Sequence, residues 1–169
     1  MFASSVIDEF LRIARRKKLS MFAVKRRADL KGRRILLAED IPINAEIVKE
    51  LLQYREAEID HEENGRKAVE MFEQSAPESY DAVLMDVRMP VLDGLEATAL
   101  IRTLKRPDAQ SIPIIAMTAN AFDEDVQRSL QVGMNAHLAK PVEPEHLYQT
   151  LEELIWKREN SRGQQVRKD

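Results

Sequence analysis

The chain has 169 residues, with 26 Lys and Arg against 29 Asp and Glu, three His, five Gly, seven Pro and no Cys. That length fits one ordinary domain with a remainder, and 44% hydrophobic with 33% charged residues describes a globular, helix-rich chain rather than a disordered one. The missing Cys excludes disulfide scaffolds, thiol catalysis and thiolate metal sites and favours a cytoplasmic setting, while no apolar run reaches the ~18 residues of a membrane-spanning helix. Asp8 and Glu9 also interrupt the apolar start that a secretory signal requires.

A net charge of −3 conceals three blocks: residues 1–34 carry +8, residues 35–155 carry −14 and residues 156–169 carry +3. In the first block Val6, Ile7, Phe10, Leu11 and Ala14 recur at helical spacing, and Ser5 with Asp8 resembles a capping box. Lys25, Arg26, Arg27, Lys31, Arg33 and Arg34 then crowd together. Such a segment suits either an arm for nucleic acid or a membrane surface, or a solvated connector whose helix packs on a neighbouring domain. Aromatic residues do not interleave with the basic ones, which favours the connector; no nucleic-acid or membrane partner is expected of this chain. The expected boundaries are a connector over residues 1–33, an α/β domain over 34–156 and a disordered charged tail over 157–169.

From Arg34 onward short apolar runs alternate with amphipathic stretches. Ile35 to Ala38 reads as a buried strand ending at Glu39 and Asp40, followed by a helix from Ile43 to Tyr54 with apolar spacing at Ile43, Ile47, Val48, Leu51 and Leu52. Glu58 to His61 is a short, polar, edge-like strand, and Asn64-Gly65 turns into a helix carrying Ala68, Val69, Met71 and Phe72. Asp81 to Asp86 is the strongest central strand, and it too ends in an acid. Met89-Pro90 and Asp93-Gly94 mark a loop before a helix from Leu95 to Leu104. Ile112 to Met117 is the next strand, ending at Thr118-Ala119-Asn120, and the helix from about Ala121 to Val132 stops at Gly133, which suits a left-handed cap. Ala136 to Ala139 ends at Lys140-Pro141, and a last helix runs from about Pro144 to Trp156. Strands and helices alternating in this way predict a doubly wound, five-stranded parallel sheet. Its ligand site belongs beyond the carboxyl ends of the strands, where the strand order reverses.

The strand ends carry a consistent set of polar groups: Glu39 and Asp40, Asp86, Thr118 and Lys140. Three carboxylates gathered at one sheet edge repel one another unless a cation lies among them, and hard oxygen ligands with room for water are what Mg²⁺ prefers. A lysine and a hydroxyl facing the same point suit a phosphoryl group. An ionised Asp beside Mg²⁺ can be the nucleophile that accepts it.

These runs resemble the receiver domain of two-component response regulators, of the type attached to hybrid sensor histidine kinases. The resemblance covers Arg34 to about Ile155 through four ordered motifs: Ile35-Leu36-Leu37-Ala38-Glu39-Asp40, Val83 to Gly94, Pro113 to Ala121, and Gly133 to Pro141. It implies a flavodoxin-like (βα)5 fold, with Asp86 as the phosphorylated carboxylate. Asp40 would hold Mg²⁺ directly, Glu39 mostly through water, and the Arg88 backbone carbonyl would complete the protein ligands. Thr118 and Lys140 would contact the phosphoryl oxygens, Pro141 would follow a cis peptide bond, and Gly94 would permit a tight turn into the third helix. The implied partner is a histidine kinase or a histidine phosphotransfer domain, and the segment before Arg34 is similar to the end of an upstream receiver-like domain with its linker. Oligomeric state is left open.

Two positions depart from the family pattern. His137 stands where the family usually has a Tyr or Phe that swings inward after phosphorylation; it is either a switch residue that can add a charge near neutral pH or a surface histidine. Ile41 stands where hybrid-type receivers often carry Asn; with Pro42, Ile43 and Pro141 it forms an apolar rim, suited to a docking partner or to simple packing. Other classes fit less well. A phosphatase with an aspartyl nucleophile needs a second Asp two residues on, where this chain has Arg88. The glycines at 32, 65, 94, 133 and 163 lie too far apart for a phosphate cradle. His61, His137 and His146 are too scattered for zinc, and read as ordinary surface or packing residues. No His-bearing kinase or phosphotransfer helix occurs, and no kinase activity is expected of this chain beyond a part in its own Asp phosphorylation and dephosphorylation. The remaining choice lies between a phosphoacceptor, in a hybrid kinase or free-standing, and an interaction module with a vestigial pocket.

Overall fold

Strand residues alternate between two apolar faces, and that alternation builds the core. A computed structural model describes residues 29–119 and 124–166; the helix expected near Phe2–Ala14, most of the basic connector, and Asn120 and Ala121 lie outside the described residues. The elements are β1 (Arg34–Ala38), α1 (Pro42–Tyr54), β2 (Glu58–Glu62), α2 (Gly65–Gln74), β3 (Ala82–Asp86), α3 (Gly94–Thr103), β4 (Ile114–Thr118), α4 (Glu124–Gln131), β5 (Ala136–Ala139) and α5 (Pro144–Val166). The strands form one parallel sheet in the order β2-β1-β3-β4-β5. Leu36, Val83, Met85 and Ile114 face a core closed by Phe72 of α2 and Ile101 of α3. Ile35, Leu37, Leu84 and Ile115 face the other side, closed by Val48 and Leu52 of α1 and Leu147, Leu151 and Ile155 of α5. Leu30, just ahead of β1, is fully buried in this second cluster.

The central strands β3 and β4 are buried along their whole length, as expected for strands covered by helices on both faces. The polar strand at Glu58–Glu62 is indeed an edge. Gly133 adopts φ +105°, as a left-handed cap requires, and its turn closes by the Met134 N–H donating to the Ser129 carbonyl at 2.9 Å.

One expectation is overturned. The tail after Trp156 was expected to be disordered, yet α5 continues to Val166. Its apolar repeat ends at Ile155, and polar contacts replace it: Arg158 donates to the Tyr80 carbonyl at 3.2 Å and to Glu78 at 3.0 Å, while Arg162 donates to Glu78 at 2.7 Å and to Ser111 at 3.1 Å. These acceptors lie about 80 and 50 residues away in sequence, so local periodicity carries no trace of them.

Candidate functional site

The strand order reverses between β1 and β3, which lie side by side with Ala38 opposite Met85. Glu39 and Asp86 therefore leave the sheet together, with Asp40 next to them. One carboxylate oxygen from each of the three lies within 4.8 Å of the others. Glu39 and Asp86 are buried, at 1% and 4% exposure. Lys140 comes from two strands away: its N–H donates to the Thr118 carbonyl at 2.9 Å, which ties the end of β5 to that of β4. Its ammonium then reaches Asp86 Oδ2 at 2.8 Å and Glu39 Oε2 at 2.9 Å. The Asp86 contact is a hydrogen bond; the Glu39 contact is an ion pair short of hydrogen-bond geometry. Thr118 is buried at 5% exposure on the strand beside Asp86. The Lys140-Pro141 peptide is cis, as expected.

Charge in this pocket is unbalanced. Burial pushes the Asp86 carboxyl above its ordinary range; the Lys140 hydrogen bond pulls it down and the Glu39 charge pushes it up again. Burial also opposes the Lys140 ammonium, but its contacts with Asp86 and Glu39 outweigh that and raise its pKa. Asp40 Oδ1 is buried with no hydrogen-bond partner, a state that ordinarily costs about 1–3 kcal/mol. Three hard carboxylates, two of them with a buried oxygen that lacks a hydrogen-bond partner (Glu39 Oε2 and Asp40 Oδ1), are the donor set a divalent cation of the Mg²⁺ type requires.

The loop after β3 is shaped by close backbone packing. A Cβ at Gly94 would collide with the Asp86 carbonyl oxygen. Gly94 lacks a positive φ, so the glycine serves that approach rather than the tight turn expected of it. Asp93 caps α3 by accepting the Glu96 N–H at 2.8 Å. Val91 sits at φ 72°, rare for a β-branched residue, within a three-residue turn closed by the Leu92 N–H donating to the Pro90 carbonyl at 2.8 Å. Arg88 donates its backbone N–H to Asp86 Oδ1 at 3.3 Å. A cleft of about 520 Å³ opens beside the acids, lined by Asp40, Arg88, Met89, Pro90, Asp93 and Arg128 among others.

Five of the expected residues thus converge at one sheet edge: Glu39, Asp40, Asp86, Thr118 and Lys140. Ile41, Pro42, Ile43 and Pro141 follow them on the surface, all exposed, with Ile41 at 45% and Ile43 at 65%. His137 is exposed on β5, opposite Ala116. One residue at the site escaped sequence reasoning. His61, read as ordinary, places Nε2 2.8 Å from the Glu39 carbonyl oxygen; nothing in its spacing announces that contact.

The model of the response regulator receiver domain matches residues 35–152. This chain belongs to that family. The receiver is 37% identical over 126 residues to hybrid signal transduction histidine kinase I of Dictyostelium discoideum, a match spanning 73% of this chain and 7% of that protein. It is 40% identical over 119 residues to sensor protein GacS of Pseudomonas syringae pv. syringae, covering 70% and 13%. The chain therefore spans a small part of the curated relatives it matches. Among solved structures it is similar to the receiver domain of a Pseudomonas aeruginosa sensor histidine kinase, crystallised with a magnesium ion coordinated in the active-site cleft (40% identity, TM-score 0.67, 73% of this chain and 98% of that one). It is also similar to the complex of the Saccharomyces cerevisiae phosphotransfer protein Ypd1 with the receiver domain of Ssk1 (27% identity, TM-score 0.65, 75% and 90%).

Proposed function

We propose that this receiver accepts a phosphoryl group from a phosphohistidine onto Asp86 and thereby changes its affinity for a partner. The observation that carries this is the Glu39–Asp40–Asp86 cluster with Lys140 bonded to Asp86. In the transfer, an Asp86 carboxylate oxygen forms a bond to phosphorus while the bond from the donor imidazole nitrogen to phosphorus breaks, and the imidazole leaves with that electron pair. Asp40, Asp86 and the Arg88 carbonyl would hold Mg²⁺, with Glu39 acting mostly through water, and the ion would supply positive charge that keeps the acids ionised and offsets charge on the phosphoryl oxygens. The Lys140 ammonium, already within bonding distance of Asp86 Oδ2, would follow the new phosphoryl oxygens, and the Thr118 hydroxyl, at the end of the neighbouring strand, would donate to them. A donor ring protonated on its other nitrogen leaves as neutral imidazole, so the transfer needs no general acid from this chain, in keeping with Arg88 standing where a phosphatase would place one.

The relatives are hybrid and sensor histidine kinases, which supports a parent of that type, with residues 1–33 as the connector to an upstream domain; among the described residues no helix is long and apolar enough to cross a membrane. A phosphotransfer domain would dock over the rim of Ile41, Pro42, Ile43 and Pro141; a similar receiver has been co-crystallised with the phosphotransfer protein Ypd1. His137, standing where the family usually has a swinging aromatic, would couple the phosphorylation state to the face formed by α4 and β5.

Incubation with acetyl phosphate and Mg²⁺ is expected to add one phosphoryl group at Asp86, read by mass spectrometry, and beryllofluoride should give a matching spectral change. Asp86→Asn should abolish both in a folded protein. No change in the wild type would leave only an interaction module on the receiver fold. Ile41→Asp should lower the rate from a phosphohistidine donor at least tenfold, while labelling by acetyl phosphate survives; equal loss of both would remove the docking role. An unchanged phosphorylation dependence of partner affinity in His137→Ala would remove the switch role.

A further inference from the structure

Parallel pairing runs from Arg34–Glu58 to Ala38–Glu62, and one more backbone bond follows, from the Glu39 N–H to the Glu62 carbonyl at 3.1 Å. The next rung would bring an amide of the β2 chain to the Glu39 carbonyl. That amide is lost to the ladder, because the chain turns at Asn64, whose side chain caps α2 by accepting the Lys67 N–H at 2.9 Å. His61 fills the gap with its ring, Nε2 standing 2.8 Å from the Glu39 carbonyl oxygen. A carbonyl only accepts, so Nε2 carries the hydrogen and donates. The carbonyl belongs to the planar peptide that joins Glu39 to Asp40; holding it fixes the direction in which Asp40 leaves the strand. The other side of this turn is held by Glu39 itself, whose Oε1 accepts the Ile41 N–H at 3.2 Å.

We propose that His61 is a positioning residue for the acidic pocket: its imidazole extends the β1–β2 ladder by one bond, locks the Glu39–Asp40 peptide and so aims the Asp40 carboxylate at a divalent cation. The proposal rests on the metal-binding reading of the pocket given above. Bonds behind a metal ligand set its orientation, and their removal typically lowers metal affinity by roughly 10–100-fold. The sequence offers no such clue, because a histidine on an edge strand ordinarily points to water.

The test is titration of the whole chain with MgCl₂ by calorimetry, for wild type, His61→Val, His61→Gln and Glu58→Ala. Valine suits a strand but cannot donate; the glutamine amide places an N–H close to where Nε2 stands. His61→Val is expected to bind Mg²⁺ about tenfold more weakly, His61→Gln to regain most of the loss, and Glu58→Ala, an exposed change on the same strand, to match wild type. Wild-type affinity in His61→Val, or equal losses in the Val and Gln variants, overturns the proposal. If wild type binds no Mg²⁺, the reading of the pocket fails and the proposal falls with it. Should His61→Val not fold, the long-range ¹⁵N–¹H spectrum of wild-type His61 decides: an Nε2–H tautomer is expected, and an Nδ1–H tautomer overturns the proposal.

Discussion

Asp86 sits where its own charge is disfavoured, and that has a thermodynamic consequence. Its folded pKa is raised, first by burial and then by the Glu39 charge, against the pull of Lys140. The folded state therefore holds this proton more tightly than the unfolded chain, whose Asp titrates near about 3.9. Ionisation then costs stability as pH rises from the unfolded value through the raised folded one, and the full penalty is present above both. Without Mg²⁺ at neutral pH, Asp86→Asn should accordingly raise the melting temperature, by roughly 4 °C for a gain of about 1 kcal/mol. The gain should vanish below about pH 4, where Asp is protonated in both states. Calorimetric melts across that pH range check it; a lower melting temperature in Asp86→Asn at pH 7 would mean that the Lys140 pair outweighs burial and repulsion.

At the scale of elements, α5 shows how ion pairs extend a helix beyond its apolar stripe. Arg158 has a side chain only 8% exposed and links α5 to the segment before β3, whereas Arg162 makes its pair at 42% exposure. Arg158→Ala leaves the Tyr80 carbonyl and Glu78 without this donor and should destabilise the domain by about 1–3 kcal/mol. Arg162→Ala, an exposed pair screened by water, should stay within about 1 kcal/mol. Urea denaturation of the two variants separates them, and equal effects would refute the distinction. The strands were legible because each is a short apolar run that ends in a polar residue, and a strand covered on both faces has little other way to look. The set Glu39, Asp40, Asp86, Thr118 and Lys140 was legible for the same reason, since strand ends in a parallel sheet share one edge. Helix faces were less so. The apolar positions Ile43, Ile47, Val48, Leu51 and Leu52 of α1 look like one core stripe, but Val48 and Leu52 are buried with Ala45 while Ile43 and Ile47 stand 65% and 46% exposed. An apolar band wider than the buried face cannot be divided by periodicity alone. Ile43 and Ile47 instead face outward, as does Tyr54 at 82%. His61 and the end of α5 share another cause of illegibility: their contacts join residues distant in sequence and leave no local pattern.

Over the whole molecule, charge and metal binding act together. Residues 35–155 carry −14, so the folded receiver gathers negative charge that the compact state must hold against self-repulsion. Part of that charge is the pocket, where the Glu39 and Asp86 carboxylates pair with the Lys140 ammonium and Asp40 lies beside them. Sodium chloride should raise stability modestly by screening the general repulsion, an effect shared by every variant. Mg²⁺ should do more, because binding to the folded state alone adds about 2.7 kcal/mol at a hundred times its Kd, and EDTA should reverse it. The two effects separate when Mg²⁺ is compared with sodium chloride at matched ionic strength. A surplus that grows with the logarithm of Mg²⁺ concentration reports a site, and it should disappear in Asp40→Asn, which removes a carboxylate bearing an orphaned oxygen. In Glu96→Gln, an exposed acid in the first turn of α3, the surplus should persist at its wild-type size, since that variant removes the same unit of charge without touching the pocket. Loss of the surplus in both variants would assign the Mg²⁺ effect to the overall charge of the molecule. Loss in Asp40→Asn alone would assign it to the pocket.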